Sequence, residues 1–226
     1  MAAASSHRGA VVRAVRARLR DVLLVALLLA WFFDVRFTNQ LFQFTDSVLA
    51  SSAFSCAAIA SAFAVALALA VRSGMLGSAS WRKGLAASLC TLALAAGVCS
   101  VFLAPEDSDG LIAYSVAEGA MVGACMPCAL ALTTHRLRGC GMPAVVGMTT
   151  AAFVAAFALV VAAVVVPFGF SVLILLCPCA LAACLFGKRD YLEEREPSCG
   201  FRFEPSKGGA APRVRLLLFV SSFLAV

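Results

Sequence analysis

Apolar residues in this chain fall into long unbroken blocks, with no period-2 alternation and no narrow apolar stripe. Six blocks stand out, at about Asp21–Phe37, Val48–Val71, Leu85–Ala104, Leu111–Leu132, Pro143–Val166 and Phe170–Phe186. A helix that crosses a bilayer needs about 20 mostly apolar residues, and the hydrocarbon offers the backbone no water to bond to. Each block is therefore predicted to be one membrane-spanning helix. The fold class is all-α, a polytopic transmembrane helical bundle of six spans over residues 21–187. The first block is the shortest in strictly apolar residues, Val22–Phe33, and must borrow Asp34 and Val35 to reach across. A last run, Leu216–Val226, is too short to span and reads as the start of a truncated seventh helix within 213–226.

The polar stretches between the blocks set the orientation. Lys and Arg in short loops stay on the cytoplasmic side. The tail 1–20 carries Arg8, Arg13, Arg16, Arg18 and Arg20; the 2–3 loop carries Arg72, Arg82 and Lys83; the 4–5 loop carries Arg136 and Arg138. Seven more follow the sixth block, from Lys188 to Arg215. With both ends inside, six spans put all the basic residues but Arg36 on one face. The opposite face holds Arg36 with Asp34, Asp46, Glu106, Asp107 and Asp109. The stretch 188–212 mixes charge with Pro197, Pro205, Gly208, Gly209 and Pro212, and reads as a cytoplasmic linker.

Composition agrees. The chain is 62% hydrophobic and 13% charged, against roughly 45–50% and about 25% in soluble domains. The net charge of +6 is explained by topology, so no nucleic-acid contact is expected from this segment. Most of the ten cysteines lie inside apolar blocks, where a free thiol behaves as a small hydrophobe, so no disulfide framework is implied. Arg13–Arg20 resembles the basic start of a signal peptide, but Trp31, Phe32 and Phe33 follow where small residues would mark cleavage. The first helix is expected to remain.

The 2–3 loop reads Gly74-Met75-Leu76-Gly77-Ser78-Ala79-Ser80-Trp81-Arg82-Lys83. It resembles the loop signature of the major facilitator superfamily, G-x-L-[AG]-D-R-x-G-R-[RK], at Gly74, Leu76, Gly77, Arg82 and Lys83. It departs at Ser78, Ala79 and Trp81. In that family the loop is a tight turn whose charges latch onto neighbouring helix ends. Glu118-Gly119-Ala120 is similar to the family's Q-G-x in helix 4, although the preceding intramembrane arginine is absent. A scaffold without the gating and coupling parts resembles the membrane half of LuxR-type regulators, in which a facilitator-like bundle senses rather than transports. The aromatic first helix and the basic segment Arg213–Phe219 also look like that group. The resemblance implies a half-facilitator bundle, a sensory or receptor module of a bacterial cytoplasmic membrane, a small-molecule ligand, and a second six-helix half or a second copy as partner. The alternative is a diverged or fragmentary solute transporter.

Candidate chemistry is sparse. Glu118 lies within a span, where an ionisable group is costly and is by default a functional candidate. Asp34, near the outer end of helix 1, reads as the helix exit beside Arg36; a helix continuing past it would place Asp34 on a central cavity. Both are ligand or coupling candidates. Gly119 and Gly123 form G-x-x-x-G, a helix-packing face. Cys177-Pro178-Cys179-Ala180-Leu181 resembles the intramembrane metal site of heavy-metal P-type ATPases, and Cys125 and Cys128 repeat the motif in helix 4, giving four soft ligands. Such pumps need an aspartyl-phosphate D-K-T-G loop, and none of the residues after Cys179 spells it. A passive thiol or metal role is the third reading. No nucleophile elbow, phosphate loop or paired carboxylate is present, so neither an enzyme nor a cofactor is expected.

Overall fold

A computed structural model describes residues 18–38, 47–72, 76–103, 108–137, 140, 142–187 and 191–192. They form six helices: α1 (Leu19–Thr38), α2 (Val48–Val71), α3 (Ala79–Phe102), α4 (Ser108–Leu137), α5 (Met142–Val165) and α6 (Gly169–Phe186). No strand occurs among the described residues. Residue Gly74 of the loop signature, most of the basic tail and all of 193–226, including the expected start of a seventh helix, lie outside the described residues.

Five helices, α2 to α6, are long and apolar enough to cross a membrane, where the apolar blocks predict six spans. The exception is α1, which carries Arg20, Asp21, Asp34 and Arg36 in 20 residues. It is nevertheless the hub of the bundle and packs against α5, α6, α4 and α3. Ala30, Trp31 and Val35 are buried in its middle. Asp21 and Asp34 are buried too, because neighbouring helices rather than lipid cover them. A window of apolar residues cannot register that kind of shielding.

The periphery is different. Helix α2 packs chiefly on α4 and exposes Ile59, Phe63 and Leu67; α5 likewise exposes Phe153, Phe157 and Val164. An apolar outer surface of this kind is at equilibrium in lipid and would be a large sticky patch in water. The α2–α4 contact is backbone-close. A Cβ on Gly119 would collide with the Phe54 carbonyl oxygen, and one on Gly123 with that of Ala58. The G-x-x-x-G face is therefore occupied within the chain, by α2.

Proline shapes the α3–α6 contact. Pro178 has no N–H to give to the Ile174 carbonyl one turn earlier. That oxygen turns against α3 at Gly97, where a Cβ would come within 2.9 Å of it. Helix α6 is entered through Phe168, which sits at φ 57°, a left-handed conformation that side chains other than glycine seldom adopt.

Helix α3 starts six residues before the apolar block, so that Trp81, Arg82 and Lys83 are helical. Helix α4 similarly extends past Leu132 to Leu137. Backbone hydrogen bonding continues while the side chains change from lipid-compatible to water-compatible. The apolar blocks mark the hydrocarbon-facing part of each helix and not its ends.

Candidate functional site

Two polar regions lie within this apolar bundle. The first is internal. Helix α1 runs through Asp34 to Thr38, and Asp34 is 0% exposed while Arg36 beyond it is exposed. Asp34 therefore does not mark the helix exit. Both its carboxylate oxygens are buried with no hydrogen-bond partner among the described residues. The indole N–H of Trp31, three residues earlier on the same face, is also buried with no such partner. Cys177 on α6 lies within electrostatic reach of Asp34.

Glu118 on α4 is 0% exposed. Its Oε1 accepts a hydrogen bond from the buried Ser100 hydroxyl of α3. Ser115, one turn before Glu118, turns its hydroxyl back to the Leu111 carbonyl at 2.6 Å. Asp34 thus sits buried in α1 within reach of Cys177, and Glu118 is held at the α3–α4 contact.

The second region closes the end of the bundle at which the basic loops gather. The Asp21 carboxylate at the start of α1 accepts from the Arg136 Nε at 3.1 Å and from the Tyr191 hydroxyl at 2.5 Å. Arg18 stands 3.6 Å from its other oxygen. Two guanidinium groups stand over the Tyr191 ring, Arg20 at 4.3 Å and Arg136 at 4.2 Å from its centre. Arg136 also donates to the Tyr191 carbonyl at 3.1 Å, and Arg20 to the Cys184 carbonyl of α6 at 2.7 Å. Burial and the adjacent Asp21 carboxylate push the Tyr191 phenol well above its usual range.

Arg82 completes this end. It is 6% exposed and donates to the Leu76, Gly77 and Leu192 carbonyls at 2.8, 2.9 and 2.9 Å. Three carbonyls on one planar fork tie the 2–3 loop to the residues after α6. Gly77 itself is exposed, and a side chain there would meet no described atom within 4 Å, so close approach does not explain that glycine. Lys83 is half-buried beside Arg82. Tyr191 and Leu192, at 3% and 4% exposure, belong to the packed bundle although the apolar pattern assigns them to a linker.

The sequence points to Arg82, Glu118 and Asp34. It misses the clamp around Tyr191. Asp21 and Tyr191 are 170 positions apart, and arginines needed to explain topology carry no visible mark of a second use.

The four thiols do not assemble. Cys177 is buried and Cys179, two residues on, is exposed on the other side of α6. Cys125 and Cys128 are buried in α4. No group of three or more His, Cys, Asp or Glu side chains that could hold a metal ion occurs among the described residues. The expected four-ligand set is corrected accordingly: a spacing of two on a helix sends side chains to nearly opposite faces.

Apolar helices with lipid-compatible outer faces, a buried polar interior and a basic end are the marks of a multi-pass membrane protein. Comparisons with protein families, with curated proteins and with solved structures return no match.

Proposed function

We propose that the chain is a non-catalytic receptor module of a bacterial cytoplasmic membrane, with its basic end in the cytoplasm and with Asp34 and Glu118 as its ligand-coupling groups. The observation that carries this reading is the buried Asp34 carboxylate, whose oxygens lack a described partner. An unsatisfied polar group in an apolar interior costs about 1–3 kcal/mol. Structure alone gives no return for that cost, whereas a ligand or proton that binds and leaves does. The grip of Arg82 on the 2–3 loop is the kind of latch expected of a facilitator-type loop. It favours the receptor half of a LuxR-type regulator, or a diverged solute carrier, as the nearest analogy.

The test uses the proton as probe and Trp31 as reporter. In a Trp81→Phe background Trp31 is the only tryptophan. With the protein in liposomes, taking the outer medium from acid to alkaline is expected to shift Trp31 emission, and Asp34→Asn is expected to abolish the shift. Asp34→Leu is expected to raise the melting temperature, because it removes the unsatisfied group. An emission that ignores pH, together with a lower melting temperature for Asp34→Leu, would make Asp34 a structural residue and end the reading.

A further inference from the structure

We infer that the Tyr191–Leu192 turn is a releasable latch that holds α1, α3, α4 and α6 together at the basic end of the bundle. This does not depend on the receptor reading, since it stands on the geometry of that end alone. Tyr191 and Leu192 follow the last described helix, yet they are as buried as the core. No helix or strand bonding among the described residues holds them there. Their backbone accepts one bond from Arg136 of α4 and one from Arg82 of α3, and the phenol donates one to Asp21 of α1.

The ring does more than fill space. It carries the guanidinium groups of both Arg20 and Arg136 over its face, and these belong to different helices. Each is attracted to the ring face, and desolvation strengthens that attraction. Without the ring, two like charges from different helices are left near each other, and each loses the face it was attracted to. The basic ends of α1 and α4 are then driven apart. Arg20 also carries α6 with it through the Cys184 carbonyl, and Arg82 links the turn to the 2–3 loop. One turn leaving its seat therefore alters four helix ends at once, which is the behaviour of a switch and not of a fraying tail.

The outer half of the bundle is tied by different means. There α2, α3, α4 and α6 meet through glycine–carbonyl contacts and the Ser100–Glu118 bond, none of which involves the turn. The latch can open with that half intact.

Hydrogen exchange of the full chain in lipid nanodiscs tests this. In Tyr191→Ala, amides of 18–24, 79–84 and 132–137 are expected to exchange together, about tenfold faster or more. Amides around Ser100 and Glu118 are expected to keep their rates. Tyr191→Phe, which retains the ring against both arginines and loses only the hydroxyl, is expected to give a smaller rise at the same three segments. Faster exchange at only one of the three segments would overturn the inference, because the turn would then be a passive tail. A uniform rise reaching Ser100 would overturn it equally, because the turn would then be part of a single structural core.

Discussion

At the scale of single residues, a few buried charges are sensitive points, because breaking a buried pair is costly. Asp21 is 6% exposed and faces Arg136 and Arg18. Removing one member of such a group strands the rest without compensation, typically at about 3–5 kcal/mol. Asp21→Ala and Asp21→Asn are therefore both expected to lower the melting temperature strongly, because each strands the arginines; a loss confined to Asp21→Ala would show that hydrogen bonding, and not the charge, carries the weight. Tyr191 adds a pH signature. Its phenol is raised by burial first and by Asp21 second, so the folded protein holds that proton more tightly than the unfolded chain does. The stability it contributes is complete below the unfolded value of about 10 and is lost as pH climbs above it. Alkaline melting curves should drop less steeply for Tyr191→Phe than for the parent chain. Parallel curves would mean that the phenol does not report on folding.

At the scale of helices, the decisive contacts are between backbones. Gly119 and Gly123 admit α2 to α4, and Gly97 admits the carbonyl that Pro178 leaves unbonded. Gly123→Ala is expected to push α2 off α4 and to cost about 1–3 kcal/mol, as overpacking does, measured as a lower unfolding midpoint in detergent. An unchanged midpoint would mean that α2 is docked by its side chains. Much of this was legible beforehand. The blocks located the six helices, because a bilayer demands long apolar runs, and G-x-x-x-G named a packing face. What the pattern could not say is which helix fills that face, since Phe54 and Ala58 look like any other apolar residues. Nor could it separate Cys177 from Cys179, which differ only in the side of α6 on which they fall. Asp34 was legible as a candidate but not as a buried one, because its shielding comes from helices far along the chain.

At the scale of the whole molecule, the charge map and the packing agree. Arg18, Arg20, Arg82, Arg136 and Tyr191, drawn from four separate parts of the chain, meet at one end. Such a meeting requires that the helices alternate in direction. Reporter fusions after residues 75, 137 and 195 are expected to report the cytoplasmic compartment, and fusions after 40 and 107 the opposite one; any reversal would break the proposed orientation. The clamp region was invisible in advance for a related reason. Basic residues that fix topology need only be on the correct side, so nothing in their spacing tells which of them also bind one another.

The attachment of α2 has a consequence for biogenesis. Its main neighbour is α4, which the ribosome delivers only after the whole of α3 has emerged. During that interval the second helix has no glycine groove to settle into and must wait in the lipid alone. Its sequence suits the wait: between Val48 and Val71 it carries no ionisable side chain apart from one cysteine. A helix that leans on a single later neighbour is thus apolar enough to stand without it in the meantime.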